Sequence, residues 1–101
     1  EATGANIFFT KTNSNEIHTP IADSFLDGIT RRSIIEIAKQ LQIKVLERKI
    51  KLEELNKFDG CFLTGTAAEV TPVSQIGDIN FAVVDMIKKL DDNYSKLVNK
   101  S

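Results

Sequence analysis

The stretch Thr30-Arg31-Arg32-Ser33-Ile34-Ile35-Glu36-Ile37-Ala38-Lys39-Gln40-Leu41-Gln42-Ile43-Lys44-Val45-Leu46-Glu47 changes its hydrophobic period part-way along, and that change decides the fold class. Ile34, Ile37, Ala38 and Leu41 fall at i, i+3, i+4 and i+7, so they share one face of a helix. Thr30 is the expected N-cap, because its hydroxyl can accept from an amide that the first turn leaves unpaired. Ile43 to Glu47 is β-branched and partly alternating, which reads as a strand following directly on the helix.

The flanks repeat the alternation of strand and helix. Ile7-Phe8-Phe9 and Glu16-Ile17-His18-Thr19 bracket the polar stretch Lys11 to Asn15, the pattern of a β-hairpin. A loop from Pro20 to Gly28 leads into the first helix. Beyond Glu47, Leu52, Leu55 and Phe58 fit a short helix, Cys61 to Thr64 a buried strand, and Val70 to Ile76 a strand interrupted by Pro72. Val83, Ile87, Leu90, Tyr94 and Leu97 form the stripe of a long amphipathic C-terminal helix. The expectation is one α/β (α+β) domain over residues 1–101, without linker or repeat.

The composition of the 101 residues is that of a folded globular chain, with a net charge of -1 and both signs of charge interspersed. Such a balance disfavours nucleic-acid phosphates and anionic membrane surfaces as partners. No apolar run approaches the roughly 20 residues of a membrane helix, and no basic-then-apolar leader opens the chain. Cys61 is the single cysteine, which excludes an internal disulfide and fits a cytoplasmic setting. The opening Glu1-Ala2-Thr3-Gly4 lacks an initiator methionine and enters at once into an apolar run. Truncation of a longer protein is the simpler expectation; a processed mature chain is the alternative.

Two segments combine small residues with hydroxyls in a way that core packing does not require. Asp27-Gly28-Ile29-Thr30 precedes the first helix, where unpaired amides and the helix dipole stabilise an anion. An ordinary capped helix would contain the same residues. Arg31 and Arg32 stand in a first turn whose dipole disfavours cations, so each is either solvated or near an anion. Thr64-Gly65-Thr66-Ala67-Ala68-Glu69-Val70-Thr71-Pro72 lets successive amides converge on one anion, and it also suits a plain tight turn. His18 has no companion at metal-ligand spacing and reads as structural or solvent-exposed. Cys61 reads as a small core residue, and the lysines as surface charges, so no metal site is expected.

Together Glu1 to Phe9 (EATGANIFF), Phe25 to Leu41 (FLDGITRRSIIEIAKQL) and Thr64 to Val73 (TGTAAEVTPV) resemble, in order and spacing, the C-terminal half of the branched-chain amino acid aminotransferases. These are class IV, or fold type IV, pyridoxal-phosphate enzymes. The resemblance covers about residues 1 to 76. It implies the C-terminal domain of a longer two-domain protein, with a mixed sheet or pseudo-barrel and flanking helices. It also implies pyridoxal 5′-phosphate as cofactor, with Glu1 paired to the pyridine nitrogen, Leu26 packed on the ring, and Gly28, Ile29, Thr30 and Thr66 around the phosphate. The amides of Thr66 and Ala67 match those that receive the substrate carboxylate.

What the resemblance leaves out of these residues is the Schiff-base lysine, which the family places upstream of the glutamate matching Glu1. No catalytic residue is therefore expected in the chain, and the segment alone is expected to be inactive. The other domain's phosphate-binding arginine and the pocket aromatics are likewise expected elsewhere. Asp27 replaces the usual proline, Lys51 stands where relatives place a Ser or Thr cap, and Gly77 to Phe81 is shorter than the usual connection and lacks its Gly-Pro.

Transamination between branched-chain L-amino acids and 2-oxoglutarate, in a homodimer or larger homo-oligomer, is the leading expectation. D-amino acid aminotransferase and aminodeoxychorismate lyase share the glutamate and the Gly-Ile-Thr helix start. The Gly-Thr-Ala-Ala turn favours the branched-chain enzyme, since D-specific relatives carry more hydroxyls there. A non-catalytic anion-binding or interaction module is the alternative from another class.

Overall fold

The structure, a computed structural model, describes residues 6–21, 29–64, 70–82 and 84–98. Strands β1 (Asn6–Lys11) and β2 (Glu16–Thr19) form the expected hairpin. A 3-10 turn over Thr12–Ser14 connects them and closes on Asn15, whose φ of 56° lies in the left-handed region that asparagine tolerates. Helix α1 (Ile29–Gln40) and strand β3 (Lys44–Glu47) follow as read from the sequence. A 3-10 segment (Leu52–Lys57) stands where a short helix is expected. β4 (Gly60–Thr64), β5 (Val70–Pro72), β6 (Gln75–Ile76), β7 (Ile79–Asn80) and helix α2 (Asp85–Val98) complete the order. Val83, expected in the stripe of that helix, lies outside the described residues.

The five-stranded sheet has the order β3-β2-β1-β4-β5 and is open among the described residues, a mixed sheet rather than a pseudo-barrel. Only β2 and β3 pair in parallel, with α1 as their crossover. Pro72 does not merely interrupt one strand. It ends β5, which lies at the sheet edge where a missing amide is tolerated. Gln75 and Ile76 then pair with β7 in a separate two-stranded ribbon. That ribbon turns at Gly77, whose φ of +57° is what a primed hairpin turn requires at its first central residue. The short Gly77–Phe81 connection is thus a tight hairpin.

Alternation along the strands divides the core in two. On one face Phe8, Ile17, Phe62 and Val70 meet Ile34, Ile37 and Ala38 of α1 and Ile87, Leu90 and Tyr94 of α2. On the other, Phe9 and Cys61 are covered by Leu55, Phe58 and Phe81. Both helices lie on the first face. His18 belongs to the second face, where Nε2 lies 2.9 Å from a Glu16 carboxylate oxygen and the ring tilts against Phe58. Cys61 is fully buried, and burial pushes its thiol up to about 12, the behaviour of an inert core residue.

Gly60 is required by proximity. A Cβ there would stand 2.5 Å from Thr10 Oγ1 and 3.0 Å from Ile87 Cδ1. The Thr10 hydroxyl cannot yield freely, since it donates to Asp59 Oδ1 at 2.6 Å. Gly60→Ala is expected to lower stability by roughly 1–3 kcal/mol, the usual cost of overpacking, as read from urea unfolding. Burial raises the Asp59 pKa, but hydrogen bonds from the Thr10 and Thr12 hydroxyls and the Thr12 amide outweigh it and hold the carboxyl below its usual range. A lowered folded pKa means that Asp59 stabilises the fold above the unfolded value of about 3.9 and loses this contribution as pH falls through the folded value. Asp59→Asn should accordingly flatten the acid limb of stability against pH, with little change in its slope above neutrality.

Candidate functional site

Strand register brings the attachment points of three segments to one end of the sheet. Asn6, the first residue of β1, is opposite Thr64, the last of β4, and Thr64 is opposite Val70, the first of β5. Whatever precedes Asn6 and whatever joins Thr64 to Val70 therefore meets the sheet at the same edge. β2 is antiparallel to β1 and β3 is parallel to β2, so Thr19 and Glu47, which are partners, finish at that end too. The chain leaves β2 there through Pro20 and Ile21 and returns as α1.

The start of α1 is fixed at this end by Arg31. Its Nη2 donates to the Pro20 carbonyl oxygen at 3.2 Å and to Glu47 Oε1 at 2.8 Å. Arg31 is only 3% exposed, whereas the Glu47 side chain is half exposed. Of the two readings available for an arginine in a helix's first turn, proximity to an anion is the one realised. At its other end α1 closes with a Schellman pattern, Ile43 N–H to Ala38 O and Gln42 N–H to Lys39 O, with Gln42 at a φ of 64°. Asn15 Nδ2 donates to the Gln42 carbonyl and ties that end to the hairpin.

Thr30 is not the N-cap. The helix already includes Ile29, and the Thr30 hydroxyl turns to α2, where Oγ1 is 3.3 Å from the Tyr94 hydroxyl. No acidic residue occupies the first turn of α1, although the dipole favours one. Among the described residues no acid in that turn offsets the partial positive charge at the helix start, which suits an anion. Thr64 supplies a second polar group near the same end. It is 1% exposed, and its Oγ1 has no hydrogen-bond partner among the described residues. An unpaired buried hydroxyl costs about 1–3 kcal/mol, so retaining one at the end of a strand calls for a reason.

Of the residues nominated from sequence, Thr30 is described in full and Ile29 by its backbone. Glu1, Leu26, Gly28, Thr66 and Ala67 lie outside the described residues. Sequence reasoning did not bring Tyr94 and Glu47 to this end, and it took Thr64 only as the first residue of the small-residue segment, not for its own hydroxyl. The signals were present but weak: a hydroxyl in an otherwise apolar helical stripe, an acid ending a strand, and a threonine closing a buried one. Among the described residues no group of His, Cys, Asp and Glu could hold a metal ion. Replacing Arg31 by Met should loosen the α1 start, costing about 1–3 kcal/mol, between the values for exposed and buried ion pairs. Hydrogen exchange should accelerate first at the earliest hydrogen-bonded amides of α1, those of Ser33 to Ile35; uniform acceleration across the sheet would contradict the local role.

Residues 1–76 match the family model described as Amino-transferase class IV. A curated relative from Rickettsia bellii, named "Probable branched-chain-amino-acid aminotransferase", is 48% identical over 97% of this chain and 35% of its own length. A "Branched-chain-amino-acid aminotransferase" from Pseudomonas aeruginosa is 41% identical over 75% of the chain and 24% of its own length. Among solved structures, the branched-chain aminotransferase of Thermoproteus uzoniensis with norvaline superimposes with a TM-score of 0.83 at 38% identity, over 94% of this chain and 32% of that one. The pyridoxal-phosphate form of the Thermobaculum terrenum branched-chain amino acid aminotransferase gives a TM-score of 0.85 at 33% identity, over 97% and 33%. The chain spans about a third of the length of the first of these relatives.

Proposed function

The chain belongs to the class IV amino-transferases, and from that premise we propose that it is the C-terminal, cofactor-facing part of a two-domain enzyme that transaminates branched-chain L-amino acids with 2-oxoglutarate. The observation that carries this reading is the convergence of three attachment points, at Asn6, at Thr64 and Val70, and at the start of α1, on one end of the sheet. Relatives named for the same activity support the substrate class. A fold type IV neighbour in its pyridoxal-phosphate form supports the cofactor.

Pyridoxal 5′-phosphate, when bound, supplies the electron sink for breaking the bond between Cα and its hydrogen. The residues present fit it: a helix start without a first-turn acid, a hydroxyl at Thr30 and an orphaned buried hydroxyl at Thr64 all suit an anionic group. Glu1 would hold the proton on the pyridine nitrogen, which keeps the ring electron-poor. The amides of Ile29 and Thr30 with Gly28 and Thr66 would receive the phosphate, and Leu26 would pack on the ring. The amides of Thr66 and Ala67 would orient the substrate carboxylate. The Schiff-base lysine and the arginine partner of the phosphate would come from the preceding part of the enzyme, so the segment alone would not turn over. The enzyme would act in the cytoplasm as a homodimer or larger homo-oligomer; among the described residues no helix is long and apolar enough to cross a membrane.

The test compares two proteins. With pyridoxal phosphate, L-leucine and 2-oxoglutarate, the 101-residue chain should give no sustained glutamate, whereas the enzyme extended upstream of Glu1 should. Sustained production by the short chain would refute the division of labour. Failure of the extended enzyme on L-leucine with turnover of D-alanine would overturn the substrate class.

A further inference from the structure

We infer that Tyr94 is a positioning residue that commits the Thr30 hydroxyl proton to the anion bound at the start of α1; this rests on the function proposed above and extends it to a residue beyond the matched positions 1–76. Tyr94 lies on α2 and is 5% exposed, packed in the helix-side core with Ile34 and Leu90. The remainder of its stripe, Met86, Ile87 and Leu90, carries no hydrogen-bonding hydroxyl, and phenylalanine would fill the same space. The added oxygen therefore needs a polar purpose, since a buried phenol is retained where it finds a partner. Its partner is Thr30 Oγ1 at 3.3 Å.

Proton counting sets the direction of this bond. A phenol and a threonine hydroxyl hold one donor each, and only one proton fills the space between them. If Thr30 donated, the phenol proton would have no other hydrogen-bonded acceptor among the described residues, at the cost of an unsatisfied donor. If Tyr94 donates, its proton is satisfied and the Thr30 proton is released. Thr30 is only half-buried in the first turn of α1, where among the described residues no carboxylate competes for that proton. An anion at the helix start thus completes the chain from phenol to threonine to anion, in which each bond polarises the next. α2 thereby contributes to the anion site without touching the anion.

The experiment uses the two-domain enzyme and the Tyr94→Phe, Thr30→Val and doubly substituted forms. Pyridoxal-phosphate affinity of each apoenzyme is measured by equilibrium dialysis, and the bound phosphate is observed by phosphorus NMR. Tyr94→Phe should weaken affinity about three- to tenfold, the worth of one neutral hydrogen bond, and displace the phosphorus resonance. Thr30→Val should do at least as much, and the double variant should be no weaker than Thr30→Val alone. Unchanged affinity and resonance in Tyr94→Phe, with only a lower melting temperature, would overturn the inference and leave the proposed function intact, as would additive losses in the double variant. An unsubstituted enzyme that fails to bind pyridoxal phosphate would overturn both. Should Thr30→Val not fold, Thr30→Ser keeps the hydroxyl and should restore the sensitivity to Tyr94→Phe; its absence there counts against the relay.

Discussion

The pairing of β1 with β4, from Asn6 opposite Thr64 to Thr10 opposite Gly60, is the constraint on which the other features rest. It sets Phe8 against Phe62, with ring centroids 4.9 Å apart and planes within 6°, on the face that both helices cover. It sets Phe9 against Cys61 on the face covered by the 3-10 segment and the region of the small ribbon. Because side chains alternate, a slip of one residue would exchange the two cores and turn Thr10 away from Asp59. The same register decides which loops share an end of the sheet. The core therefore specifies the site's location before any polar group is considered.

A second constraint, the β2–α1–β3 crossover, turns a sheet end into an electropositive one. Parallel neighbours need a return path across the sheet, and α1 supplies it, so its N-terminus must lie where β2 ends. Arg31 locks that placement to Pro20 and Glu47 together. An arginine there works against the helix dipole, but a half-exposed Glu47 compensates it from β3 without placing an acid in the first turn itself. A carboxylate in that turn would have been the simpler stabiliser, and it would have repelled an anionic ligand.

Local order was legible in the sequence and long-range partnership was not. The apolar spacing of Ile34, Ile37, Ala38 and Leu41 and the alternation in Val45 to Glu47 are short-range signals, and α1 and β3 appear where these place them. Nothing in Val70 to Ile76 reveals that Pro72 separates two different sheets, because that outcome depends on β4 and β7 as partners. Thr30 does not serve as the expected cap for the same reason: its hydroxyl answers to Tyr94, 64 residues along the chain. The three segments nominate the candidate site by their resemblance to the family, yet the meeting of their attachment points at one sheet end follows only from register. Much of what they contain, including Glu1 and Thr66, lies outside the described residues, so the site is defined by its frame.

Three threonines are buried on the helix side of the sheet, and their differing satisfaction separates scaffold from site. Thr10 donates to Asp59 at the far end of β1, and Thr19 donates to the Ile7 carbonyl at 2.7 Å. Each closes a strand-to-strand joint and carries no unpaired hydroxyl. Thr64 alone among the three has no partner among the described residues, although valine would pack as well at that position without the polar cost. A fold that satisfies two equivalent groups is capable of satisfying the third, so the orphan is better understood as a donor kept available. It stands at the last residue of β4, at the end of the sheet where Arg31 fixes the α1 start. Breaches of local rules in an otherwise consistent structure concentrate at functional positions, and here the breach falls at the end where register had already gathered the loops.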